Sequence, residues 1–135
     1  MRVFLDTNVL VAAFATRGLC ADVLRTVLAE HELILGEVVL SEFRRALSKK
    51  LRLPADRVRA AEAVFDGIPL VPKPKKPSSL QVRDSSDRWI LASAEAAGAE
   101  ILVTGDEDLL SVAAESLIRI ASPRAFWELL RAGTK

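Results

Sequence analysis

The chain has 135 residues, of which half are hydrophobic and 27% charged; this excludes a disordered segment and fits one folded domain over 1–135. The formal net charge of +1 points to neither a nucleic acid nor a membrane, so any such partner must be read from where the charges lie. The single cysteine, Cys20, forms no internal disulfide and suits a reducing compartment; with no signal-peptide pattern and no membrane-length apolar run, the expected location is the cytoplasm.

Val3-Phe4-Leu5 is β-branched and aromatic enough for a buried strand, and the apolar pattern resumes at Val9 after Asp6, Thr7 and Asn8. Ala21 to His31 has helical spacing at Val23, Leu24, Val27 and Leu28, and Leu33-Ile34-Leu35 is a second strand punctuated by Gly36. A helix is expected from Val38 to Leu51, another from Pro54 to about Asp66 with Gly67 as its stop, and a short edge strand at Ile68–Val71. Pro72 to Pro77 reads as an extended, exposed Pro/Lys loop. Ser86 to Ala97 is a helix ended by Gly98, Glu100 to Val103 a strand, Leu109 to Ala114 a short helix and Leu117 to Ile120 a last strand. Ser122-Pro123 caps a terminal helix. Strand and helix alternate with short connections, so the expected fold is α/β: a three-layer sandwich around a mostly parallel sheet of about five strands. In such sheets sites lie beyond the carboxyl ends of the strands.

Acids fall there. Asp6 ends the first strand, and as an isolated residue it serves equally well as a helix cap. Glu42, in LSEFRRAL, borders an apolar helix face; taken alone it is an ordinary surface partner for Arg45. Asp84 and Asp87, in RDSSDRWILASA, begin a helix; Asp87 shares its face with Ile90, Leu91 and Ala94, so its carboxylate points inward, whereas Asp84 suits a cap. Asp106 and Asp108 follow a buried strand through a glycine turn, where a cap needs only one acid. Carboxylates gathered at one rim would raise one another's pKa unless a cation neutralised them, and an oxygen-only donor set selects Mg²⁺ or Mn²⁺.

FLDTNVLVAAF, LSEFRRALS, RDSSDRWILASA and LVTGDEDLL, in this order and spacing, resemble the four acidic motifs of the PIN domain, and more narrowly those of VapC-like toxin components of toxin–antitoxin systems. The resemblance spans nearly the whole chain. It implies a Mg²⁺/Mn²⁺-dependent endoribonuclease on an α/β/α sandwich, leaving 5′-phosphate and 3′-hydroxyl ends. By position Asp6, Glu42, Asp87 and Asp106 match the family's four acids in order. Asp84 and Asp108 match acids that many relatives carry beside these, as secondary metal ligands. Asn8 and Thr104 match polar residues that hold the carboxylates or position water. Asp6, Asp87 and Asp106 would form the primary metal set, with Glu42 orienting water or acting as base. A small antitoxin protein and a second copy of the chain are the implied protein partners.

Charge distribution points independently to RNA. Arg44 to Ala60 holds seven basic residues and one acid, among them Arg44, Arg45 and Lys49 as candidate phosphate contacts, whereas Asp84 to Asp108 holds seven acids and one basic residue. Trp89 and Trp127 sit in helical apolar patterns, so base stacking is not expected of either. Two alternatives stay open: a non-catalytic RNA- or antitoxin-binding module, and a metal-dependent phosphatase-type enzyme. The second would need another aspartate two residues beyond the first, where this chain has Asn8.

Overall fold

The computed structural model describes residues 1–133; the last two positions of the expected 1–135 domain lie outside the described residues. Five strands, β1 (Arg2–Leu5), β2 (Glu32–Gly36), β3 (Leu70–Val71), β4 (Ile101–Val103) and β5 (Arg119–Ala121), form one sheet in the order β3-β2-β1-β4-β5. Every pairing is parallel. The apolar runs of β1, β2 and β4 are buried throughout, as a parallel sheet covered by helices requires. The chain winds outward from β1 through β2 to β3, then returns to β4 on the other side of β1. The connection therefore changes direction between β1 and β4, and their carboxyl ends flank the crevice where open α/β sheets place ligands.

Helices α1 (Thr7–Ala15), α2 (Leu19–Glu30), α3 (Glu37–Arg45), α4 (Ala55–Ala63), α5 (Asp87–Ala96), α6 (Glu107–Leu110) and α7 (Pro123–Ala132) surround the sheet. The terminal helix starts as its sequence dictates: Pro123 takes the first position and the Ser122 hydroxyl oxygen accepts the Ala125 N–H at 3.1 Å. Gly98 ends α5 at φ +69°, so the position needs glycine for its conformation, and a Cβ there would meet only the flexible end of Arg2, 2.8 Å away. Among the described residues no single helix is long and apolar enough to cross a membrane.

Four expectations shift. The helix expected over Val38–Leu51 is α-helical only to Arg45; Ala46–Lys50 form a wider π-turn in which the Leu51 N–H reaches Ala46 O. The extra residue keeps Leu47 in the core while Arg52, at φ 54°, reverses the chain toward Pro54. The helix opened by Pro54 closes at Ala63 and continues as turns to Gly67. The short helix expected over Leu109–Ala114 begins two residues earlier, capped by Asp106, and is followed by a separate turn at Ala113–Glu115. Leu117, expected in the last strand, is 94% exposed and precedes it.

Phe14 of α1, Phe43 of α3 and Phe65 beyond α4 form a cluster with ring centroids 5.4–6.0 Å apart, Phe65 meeting both of the others edge to face and Phe14 tilted against Phe43. This cluster locks α3 against α1 and sets the rotation of α3, which places Glu42, the neighbour of Phe43, beside the start of α1.

Candidate metal centre

Asp6 continues β1 by one residue, its N–H donating to Val103 O at 2.9 Å. It is also the N-cap of α1, so the two roles that its sequence position leaves open coincide. Its side chain is 4% exposed. Oδ1 accepts the Thr7 N–H at 2.7 Å and Oδ2 accepts the Thr104 hydroxyl at 2.7 Å. Thr104 is itself fixed where β4 ends: its N–H donates to Ala121 O, and its Oγ1 accepts the Asp106 N–H at 3.0 Å. One hydroxyl thus joins the first acid to the backbone of the fourth.

Glu42 does not pair with Arg45. Its Oε1 accepts the Thr7 hydroxyl at 2.6 Å, so Thr7 holds Asp6 through its amide and Glu42 through its side chain. The Asn8 side chain bonds elsewhere than to Asp6; its Oδ1 accepts the Gly105 N–H at 3.2 Å, tying the first turn of α1 to the loop after β4. Asp106 caps α6, with Oδ1 accepting the Asp108 N–H at 2.8 Å. Asp84 is exposed and accepts both the N–H and the hydroxyl of Ser86; these bonds hold its carboxyl below the ordinary range. These bonds form a turn just before α5, whose cap residue is Ser86.

Asp87 differs. It opens α5 with its side chain turned inward, 7% exposed, and its Oδ2 is buried without a hydrogen-bond partner. Carboxylate oxygens of Asp87, Asp106 and Asp108 lie within 4.8 Å of one another. Burial, then a hydrogen bond with Asp106 and the charges of Asp106, Asp84 and Asp6, push Asp87 from 3.8 up to about 8. Burial is also the main cause that raises Asp6 from 3.8 to about 6; Thr104 and Thr7 oppose it, and Glu42 and Asp106 add repulsion.

An orphaned buried oxygen within a group of acids that already repel one another is a site short of positive charge. The donors are carboxylate oxygens alone, and the trio could hold a metal ion. The trio contains Asp108, which the motif pattern places among the secondary ligands, and does not include Asp6. The structure therefore brings Asp6, Glu42, Asp87, Asp106 and Asp108 to one crevice and leaves Asp84 at its edge.

The basic residues divide. Arg44 forms an ion pair with Glu62 of α4, whereas Lys49 is exposed on the π-turn and Arg45 lines a groove beside Glu42. This groove, about 350 Å³ in volume, runs between α3 and the start of α5 and is also lined by Ser86, Trp89 and Lys73. Trp89 is a residue that the apolar pattern concealed. It lies two positions after Asp87, a turn of roughly 200° from the buried face; that offset was the available signal.

A sequence model of the PIN domain matches residues 3–115. None of the curated proteins searched matches the chain. Among solved structures, the fold is similar to that of VapBC2 from Rickettsia felis bound to a DNA fragment from its promoter, at a TM-score of 0.65 and 16% identity over 90% of this chain and 98% of that one. It is similar to VapBC-1 from nontypeable Haemophilus influenzae, at 0.64 and 16% over 92% and 99%. It is also similar to FitAcB from Neisseria gonorrhoeae, at 0.61 and 16% over 90% and 98%.

Proposed function

The chain belongs to the PIN domain family, and from that we propose that it is an endoribonuclease dependent on Mg²⁺ or Mn²⁺, the toxin of a type II toxin–antitoxin pair acting in the cytoplasm. The observation that carries the reading is the buried, unpartnered Oδ2 of Asp87, set among acids at the crevice between β1 and β4. Asp87, Asp106 and Asp108 would hold the ion, with Asp6 anchoring it from the strand end. When bound, the divalent ion supplies charge neutralisation at the phosphoryl oxygens and lowers the pKa of a water.

The protein's own groups do the rest. Glu42, oriented by the Thr7 hydroxyl, accepts a proton from the attacking water or aligns it. Thr104 holds the Asp6 carboxylate in one rotamer, so that this acid does not have to reorganise when the ion enters. Arg45, exposed beside Glu42, and Lys49, exposed on the π-turn that follows, supply cations for phosphates flanking the scissile one. The VapBC and FitAB structures are toxin–antitoxin assemblies, and the corresponding partner here is a small antitoxin protein. A homodimer of the chain belongs to the same proposal.

The test is cleavage of a mixed RNA panel by pure protein with Mg²⁺, Mn²⁺ or EDTA, alongside Asp6→Asn and Asp87→Asn. Metal-dependent cleavage by the wild type, lost in both variants, is the expected result. Absence of cleavage under every metal condition while calorimetry shows the ion binding would favour the non-catalytic module. Equal cleavage by the variants would place the activity elsewhere.

A further inference from the structure

We infer that the groove between α3 and α5 seats a nucleobase of the bound RNA strand, with the ring of Trp89 as its stacking face. The inference rests on the ribonuclease reading and says which part of the substrate the protein grips beside the scissile phosphate. Position is the first ground. Glu42 belongs both to the groove and to the acidic crevice, and Ser86, on the opposite wall, is the residue before Asp87. A base is separated from its own phosphate by a single sugar, so a strand whose phosphate lies at the acids can place a neighbouring base here.

Chemistry is the second ground. Trp89 is half-buried, turned away from the core face held by Ile90, Leu91 and Ala94, and its ring is covered by the Lys73 ammonium, 4.7 Å from the centroid. Lys73 comes from an exposed loop whose backbone is anchored by its N–H donating to Glu37 at 3.0 Å, so the ammonium can swing aside while the loop stays. A flat neutral ring then replaces it on the aromatic face. Glu37 and Glu42 line the same groove as Arg45 and Lys73, so its charges balance, and its carboxylates can accept base N–H groups. Arg45 and the displaced Lys73 remain near the rim for the adjoining phosphate. The volume of about 350 Å³ lies at the small end of ligand sites.

The experiment uses the full chain with Trp127→Phe, so that emission reports Trp89 alone, and with Asp6→Asn to prevent turnover. Short single-stranded RNA homopolymers and an abasic ribose-phosphate polymer are titrated in Mg²⁺. Quenching by base-bearing strands and not by the abasic one is expected. In steady-state cleavage Trp89→Ala should raise KM about ten-fold, in the range of one lost stack, with a smaller effect on kcat, and Trp89→Phe should restore most of it. Equal quenching by the abasic polymer, or an unchanged KM in a Trp89→Ala variant that still cleaves with metal, would overturn the groove and leave the nuclease standing. Base-dependent quenching without any cleavage by the wild type would support the groove and remove the nuclease. Absence of both would remove both.

Discussion

Asp6→Asn should make the metal-free protein more stable at alkaline pH while abolishing activity. In the wild type the carboxyl is raised from 3.8 to about 6, chiefly by burial. Above that value the fold holds a charge that the unfolded chain would solvate better. A shift of about two units corresponds to roughly 3 kcal/mol. Asparagine removes the charge but donates and accepts more weakly than the carboxylate that takes the Thr7 N–H and Thr104 hydroxyl, which returns about 1 kcal/mol. The net gain is therefore about 1–2 kcal/mol, or about 5 °C in Tm for a domain of this size. The sign depends on pH. A raised folded pKa means that the native state binds more protons than the unfolded state between about pH 4 and pH 6, so wild-type stability falls across that window. The assay is thermal melting in EDTA at about pH 4 and about pH 8: the variant should melt higher only at the second, since at the first the wild-type carboxyl is already protonated. Adding Mg²⁺ at the higher pH should then stabilise the wild type and reverse the order. A variant less stable than the wild type at both pH values, or a difference independent of pH, would refute the account of Asp6 as a destabilising buried charge.

Asp87→Asn should stabilise the metal-free protein in the same direction over a window reaching to about pH 8, and isothermal calorimetry should show weakened Mn²⁺ binding. Thr104→Val leaves Asp6 Oδ2 and the Asp106 amide without their shared partner; melting should report a loss of about 1–3 kcal/mol, and RNA cleavage should fall roughly 10–100-fold. Gly98→Ala forces an L side chain into φ +69° and should cost about 1–2 kcal/mol in urea unfolding, with the activity of the folded fraction unchanged.

The sequence by itself determined the strand–helix alternation, the parallel sheet and the inward face of Asp87. These follow from apolar runs, from Gly and Pro punctuation, and from the 3.6-residue period that sets Asp87 in line with Ile90, Leu91 and Ala94. Such signals are local, and each is complete within a dozen residues. Family motifs then singled out four acids, of which local chemistry explained Asp6 and Asp106 as caps and Glu42 as a surface partner for Arg45; in the structure Asp6 and Asp106 are caps as well as members of the crevice.

Tertiary structure alone decided how these acids are held and which of them group together. The Thr104 bond to Asp6 spans 98 positions and the Thr7 bond to Glu42 spans 35. They exist because β4 pairs beside β1 and because a phenylalanine cluster rotates α3 toward α1. The same packing moved Asn8 onto Gly105, drew Asp108 into a trio with Asp87 and Asp106, paired Arg44 with Glu62 and turned Trp89 onto a groove. Contacts of this kind are set by strand order and helix rotation, which a single sequence encodes only through the summed packing of the whole core.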